Sequence, residues 1–129
     1  MPRQSRPRPT DSELDILRVL WQRGPSTVRE VYETLNRKRP TGYTTVLKML
    51  QIMTEKDLVA RNEEQRAHVY EARLPQEQTQ QQLVGDLLER AFDGSAKKLV
   101  MQALSSEKAS TEDLSEIREL LDRFERGSK

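Results

Sequence analysis

The stretch Thr41–Val59, TGYTTVLKMLQIMTEKDLV, constrains the fold more than any other. Within it Val46, Leu47, Leu50, Met53 and Leu58 recur at helical spacings, and the chain then runs straight into a short β-like segment. One side of this helix must be covered, while Thr44, Thr45, Lys48, Gln51 and Glu55 stay outside. Hydroxyls, an amide and an ammonium on one face suit a DNA groove, because they can meet base edges and phosphates. The same face also fits a solvated surface on a structural helix, so the segments around it must decide.

Upstream, Thr10 and Glu13 have the spacing of a capping box, in which each side chain satisfies the other's free backbone N–H. The helix they open carries Leu14, Ile16, Leu17, Leu20 and Trp21 on a wide apolar face and stops at Gly24-Pro25. A second helix begins at Ser26 or Thr27, with Glu30 as acidic partner, and buries Val28, Val31 and Leu35 before the basic stretch Asn36–Pro40. Three short helices at this spacing, the third with a polar outward face, form a helix-turn-helix pattern. After the third helix the apolar period moves from 3.6 towards 2. Leu58–Asn62 and Ala67–Ala72 can pair as antiparallel strands around Glu63-Glu64-Gln65-Arg66, a small hairpin or wing. Arg61, Arg66 and His68 lie in or beside that loop within reach of a DNA backbone, which Glu63 and Glu64 would oppose; Arg66 is the strongest of the three.

Pro75 opens a second half made of helical seams. Leu83, Val84, Leu87, Leu88, Ala91 and Phe92 share one face, ended by Asp93-Gly94. Ser95 can cap a helix with Leu99, Val100, Ala103 and Leu104, and Ser110 one with Leu114, Ile117, Leu120, Leu121 and Phe124. Such seams enclose little core alone, so they need a partner surface: a second copy is the simplest, and folding back on the N-terminal half is the alternative. Composition agrees, since 34% apolar and 33% charged residues is lean for a self-sufficient monomer. The 14 Lys/Arg against 10 Asp/Glu of residues 1–74 leave +4, and the 8 against 11 of residues 75–129 leave −3, so the N-terminal half better suits a polyanion. Met1–Pro9, with three arginines and three prolines, reads as a disordered basic arm, either an inert tail or one whose Arg3, Arg6 and Arg8 follow phosphates or enter a minor groove.

Several classes of function find no support. Without cysteine there is no disulfide framework and no thiolate metal site. One histidine, His68, no glycine-rich phosphate loop and no convergent carboxylates leave nothing from which to build catalysis, and neither an enzyme nor a cofactor is expected. A histidine in a strand is more often a surface or core residue than a ligand. No apolar run approaches the roughly 20 residues that span a bilayer, so the chain reads as soluble and cytoplasmic with no membrane partner.

Taken together, Glu13-Leu14-Asp15-Ile16-Leu17 with Leu20-Trp21, Thr27-Val28-Arg29-Glu30-Val31, Tyr43-Thr44-Thr45-Val46-Leu47, Glu55-Lys56-Asp57-Leu58-Val59 and Arg66-Ala67-His68-Val69-Tyr70 resemble the penicillinase-repressor family (BlaI/MecI-type winged-helix regulators) over roughly Thr10 to Phe124. The resemblance implies a mainly α architecture, with a winged helix-turn-helix domain of three helices plus a small β-hairpin at residues 10–74 and a helical dimerisation domain at residues 75–129. It further implies a sequence-specific repressor that binds a palindromic double-stranded DNA operator as a homodimer and is induced by release from DNA. Carried over by position, Tyr43, Thr44, Thr45 and Lys48 face DNA on the third helix, where Gln51 shares the exposed face, and Arg66 does so in the wing. The dimerising set is Leu87, Leu88, Phe92, Leu99, Leu114, Ile117, Leu120 and Leu121. Some members carry an arginine where this chain has Leu47. Family members are induced through a membrane-bound sensor protease, by cleavage at an Asn-Phe bond in the best-known cases; Gln102-Ala103 stands at that position here. A copper-responsive branch senses metal through C-terminal cysteines, which this chain lacks. Two rival readings remain: a winged-helix module that binds protein rather than DNA, consistent with a net charge of only +1, and an accessory subunit of an enzyme.

Overall fold

A computed structural model describes residues 8–127. The order of elements is α1 (Asp11–Arg23), β1 (Ser26–Thr27), α2 (Val28–Lys38), α3 (Tyr43–Glu55), β2 (Val59–Asn62), β3 (Val69–Ala72), α4 (Gln76–Ala91), α5 (Ala96–Ser106) and α6 (Thr111–Gly127). Two compact units result, the first ending at Val84 and the second beginning at Gly85, with the division inside α4. Of the expected basic arm, Arg3 and Arg6 lie outside the described residues, Arg8 is exposed and Pro9 is buried.

Local chemistry sets the helix ends of the first unit. At α1 the Thr10 N–H donates to Glu13 Oε1 at 3.0 Å while the Glu13 N–H donates to Thr10 Oγ1 at 3.2 Å. The same reciprocal box recurs at α2, Thr27 N–H to Glu30 Oε1 at 2.9 Å and Glu30 N–H to Thr27 Oγ1 at 3.2 Å. Each cap satisfies donors that the first helical turn otherwise leaves open, worth about 1 kcal/mol. α1 ends at Gly24, whose φ of 89° no side chain adopts without strain.

α3 ends differently. Asp57 takes a φ of 65°, its N–H donates to Thr54 O at 3.1 Å, and the Leu58 N–H donates to Met53 O at 2.9 Å. This is the Schellman arrangement, with Met53 and Leu58 both buried across it, and it turns α3 into β2 within three residues. An aspartate stands where glycine is usual, which is why the sequence shows helix running straight into strand without a punctuating residue.

The strands form one antiparallel sheet in the order β1-β3-β2. Ser26 faces Tyr70 on one side of β3, and Arg61 faces Tyr70 on the other. The expected hairpin is present, but its strands begin at Val59 and Val69 rather than at Leu58 and Ala67, and Ala67 and His68 are exposed in the loop. Asn62 Oδ1 accepts from the Glu64 N–H at 2.9 Å, an Asx-turn that starts the loop in place of an Asn-Gly pair. The two-residue β1 adds a third strand that the periodicity does not reveal.

Ile16, Leu17, Leu20, Val31, Val46, Leu50, Met53, Val59 and Tyr70 build the core between α1, α2, α3 and the sheet. Trp21 is half-buried at its edge, and its indole N–H donates to Leu74 O at 2.9 Å, fixing the chain after β3 against α1. α4 begins within this unit, where Thr79 is buried.

The second unit has no such interior. Among its described residues none is buried; Leu88, Phe92, Leu99 and Ile117 are half-buried, and Leu87, Leu114, Leu120 and Leu121 are exposed, as are Val100, Met101, Leu104 and Phe124. Its helices are nonetheless well started: Ser95 Oγ accepts from the Lys98 N–H at 3.1 Å, and Ser110 and Asp113 form a reciprocal box at 2.9 and 3.2 Å. Asp93 and Gly94, with φ of 51° and 76°, close α4 where the sequence places the stop. Among the described residues no helix is long and apolar enough to cross a membrane.

Candidate nucleic-acid interface

α3 is held on three sides before its outer face is considered. Val46, Leu50 and Met53 are fully buried against the core, with Leu47 and Met49 half-buried beside them. At its N-terminal side the α2–α3 turn is tied by the Thr41 N–H donating to Asn36 Oδ1 at 2.9 Å and by Arg39 Nη2 on Asp15 Oδ2 at 2.7 Å, which links the turn to α1. At its C-terminal end Lys56 Nζ donates to both oxygens of Glu13, at 3.1 and 2.9 Å. The Glu13 side chain keeps only 6% of its surface in water. Burial pushes that carboxyl up, but the Lys56 hydrogen bond, the Thr10 N–H and the Lys56 charge outweigh it, so the pKa lies below the ordinary value. The cap of α1 and the end of α3 are thus one network.

The face left outside holds Thr44, Thr45, Lys48 and Gln51, all exposed. None of the four side chains makes a hydrogen bond or ion pair among the described residues. A rigid helix therefore presents two hydroxyls, an ammonium and an amide with their donors and acceptors still open, the condition for reading base edges and phosphates. Ile52, 38% exposed, adds an apolar contact surface that the helical pattern alone assigned to neither face.

Tyr43, the first residue of α3, is in a different state. Its ring meets Tyr32 of α2 edge-on, centroids 5.5 Å apart at 74°, and the Arg29 guanidinium carbon lies 5.5 Å from its centroid. Sequence reasoning missed Arg29. The Arg29–Tyr32 spacing, which puts a cation and an aromatic on one face of α2, is the signal that would have found it.

In the wing, Arg61 is engaged: its guanidinium lies by the Tyr70 side chain and pairs with Glu63, and the two hold its pKa above the ordinary value. Arg66 and His68 are exposed, and neither has a hydrogen bond or ion pair among the described residues. Of the loop's arginines, Arg66 stands without an ion-pair partner among the described residues, as Lys48 does on α3. The described residues also hold no group of three or more His, Cys, Asp or Glu placed to bind a metal.

Three helices, the third presenting an open polar face, and a sheet whose β2–β3 hairpin forms a wing define a winged helix-turn-helix protein. Comparison with known proteins narrows this class. The chain belongs to the penicillinase repressor family, whose sequence profile matches residues 9–123. It is 34% identical over 92 residues to the transcriptional regulator BlaI of Mycobacterium tuberculosis (strain CDC 1551 / Oshkosh), covering 70% of this chain and 67% of that protein. It is 22% identical over 123 residues to the penicillinase repressor of Bacillus licheniformis, covering 95% of this chain and 96% of that protein. Among solved structures, the DNA-binding domain of the repressor BlaI in solution matches with a TM-score of 0.51 at 23% identity, over 57% of this chain and 90% of that one. The monomeric form of Bacillus licheniformis BlaI in complex with the blaP half-operator matches with a TM-score of 0.50 at 23% identity, over 57% and 89%. At that identity the two structures establish the shared fold.

Proposed function

We propose that the chain is a sequence-specific DNA-binding transcriptional repressor that acts as a homodimer on a palindromic operator and is induced by release from DNA. The observation that carries this reading is the α3 face, where Thr44, Thr45, Lys48 and Gln51 stand exposed and without partners on a helix fixed by core packing and the Glu13–Lys56 pair. Family membership supports it, and so does the half-operator bound by Bacillus licheniformis BlaI. In this reading α3 lies in the major groove, Lys48 and Arg66 meet phosphates, and the hydroxyls and Gln51 read bases.

Dimerisation follows from the second unit. Leu87, Leu88, Phe92, Leu99, Leu114, Ile117, Leu120 and Leu121, none of them buried, offer apolar surface of the kind that a second copy covers. One half-site alone supplies few contacts, so dimer formation and DNA affinity are linked. For induction, the family resemblance supplies a sensor protease. Gln102 and Ala103 are both exposed, but they lie inside α5, so cleavage there requires that helix to open first.

The test is retention of the full chain on double-stranded DNA from the region preceding its own gene, followed by footprinting. Protection of an inverted repeat, lost as salt rises, is the expected result. Failure to retain any duplex at low salt would refute the reading.

A further inference from the structure

Resting on the DNA-binding reading above, we infer that Arg29 is a phosphate-contacting residue and that Tyr43 acts as its platform rather than as a reader of bases. Arg29 sits in the first turn of α2, with its side chain 67% exposed. Its one ion pair among the described residues, to Glu33, is long at 3.7 Å and open to water on both sides, so the guanidinium charge is only weakly compensated. Its position is nevertheless fixed, because Tyr43 lies under it at 5.5 Å and Tyr32 braces Tyr43 from the side. Tyr43 immediately precedes Thr44, so the guanidinium is parked at the N-terminal edge of the open α3 face. A guanidinium against a ring keeps its N–H donors directed outward, the geometry that grips phosphate oxygens with little further ordering. Three neighbouring cations are paired, Arg39 with Asp15, Arg23 with Glu30 and Lys56 with Glu13, whereas Arg29 joins Lys48 as a cation beside the open face. Glu33 is readily exchanged for a phosphate, because an exposed pair at that separation holds neither partner.

The two roles open to Tyr43 differ in what they require of it. A platform needs the ring and not the hydroxyl; a base reader needs the hydroxyl. The experiment measures binding of the full chain, across a salt series, to a duplex that the full chain selects from random-sequence DNA, and to an unrelated duplex. Arg29→Ala is expected to weaken both complexes by roughly 5- to 10-fold at low salt and to lower the slope of log affinity against log salt by about one. Arg29→Lys should keep the slope. Tyr43→Phe should bind as the unchanged chain does, whereas Tyr43→Leu should reproduce Arg29→Ala. Circular dichroism melting confirms that each variant is folded. Tyr43→Phe weakening binding as much as Tyr43→Leu would overturn the platform role. Arg29→Ala leaving affinity and slope unchanged while Lys48→Ala weakens binding would overturn the inference and leave the DNA-binding reading standing. Unchanged binding by both Arg29→Ala and Lys48→Ala would overturn the recognition surface itself.

Discussion

Replacing Lys56 with Met tests whether the end of α3 is anchored by charge. Lys56 is the C-cap residue of α3, and its ammonium reaches both oxygens of Glu13 at 3.1 and 2.9 Å, with the side chains 33% and 6% exposed. Removing it leaves a buried carboxylate with one remaining strong donor, the Thr10 N–H at 3.0 Å. Breaking one partner out of a buried pair costs about 3 to 5 kcal/mol; the third of the lysine surface in water and the surviving Thr10 bond bring the expectation to about 2 to 3 kcal/mol at pH 7. For a unit of this size that lowers Tm by about 10 °C or more. Trp21, the sole tryptophan, is hydrogen-bonded inside the same unit, so its fluorescence during urea unfolding reports the change directly. The double variant Glu13→Gln with Lys56→Met should recover about half of the loss, because the uncompensated charge is gone. The Glu13 pKa is lowered in the folded chain, so the pair's contribution is fully present above the ordinary value of 4.5 and is lost as pH falls through the lowered one. In Lys56→Met both lowering contributions of the lysine are gone while burial and the Thr10 bonds stay, so the carboxyl takes up a proton more readily and the penalty should shrink towards acid. A penalty below about 0.5 kcal/mol at pH 7, or one that is the same at pH 7 and pH 4.5, would refute the anchoring argument.

Other substitutions probe separate links. Asp57→Gly, at a φ of 65°, should be neutral to stabilising by up to about 1 kcal/mol in urea unfolding, while Asp57→Val should destabilise by about 1 to 2 kcal/mol; the reverse order would remove the left-handed turn as the device that ends α3. Trp21→Phe should cost about 1 kcal/mol through the unpaired Leu74 carbonyl, measured by thermal melting. Ile117→Asp with Leu121→Asp should convert a dimer to monomers in sedimentation, and an unchanged mass would argue against α6 as the dimer contact.

What could be read from the sequence follows from how local each signal is. Both capping boxes, Thr10 with Glu13 and Thr27 with Glu30, are complete within four residues, and so the starts of α1 and α2 were legible. So was the inner face of α3, where Val46, Leu50 and Met53 are fully buried. β1 was not, because two residues become a strand only by pairing with β3, more than forty positions away. The turn at Asp57 was hidden by its residue type, since neither glycine nor asparagine marks the left-handed position. Tyr43 entered only as a DNA-facing position implied by the family resemblance, and only the packing of α2 against α3 brings Tyr32 and Arg29 to its ring. The apolar seams of the second half were plain as periodicity, and in the folded chain they are half-buried at most.

Whether the α3 face recognises DNA is tested most directly by the affinity of the full chain for its selected duplex with Lys48→Ala and with Thr44→Ala. Lys48→Ala should weaken binding at low salt, and the loss should diminish as salt rises, with the salt slope reduced by about one, as expected for a phosphate contact. Thr44→Ala should instead lower the preference for the selected duplex over an unrelated one, as expected for a contact to base edges. Affinity and preference unchanged by both substitutions would contradict the assignment of α3 as the recognition helix.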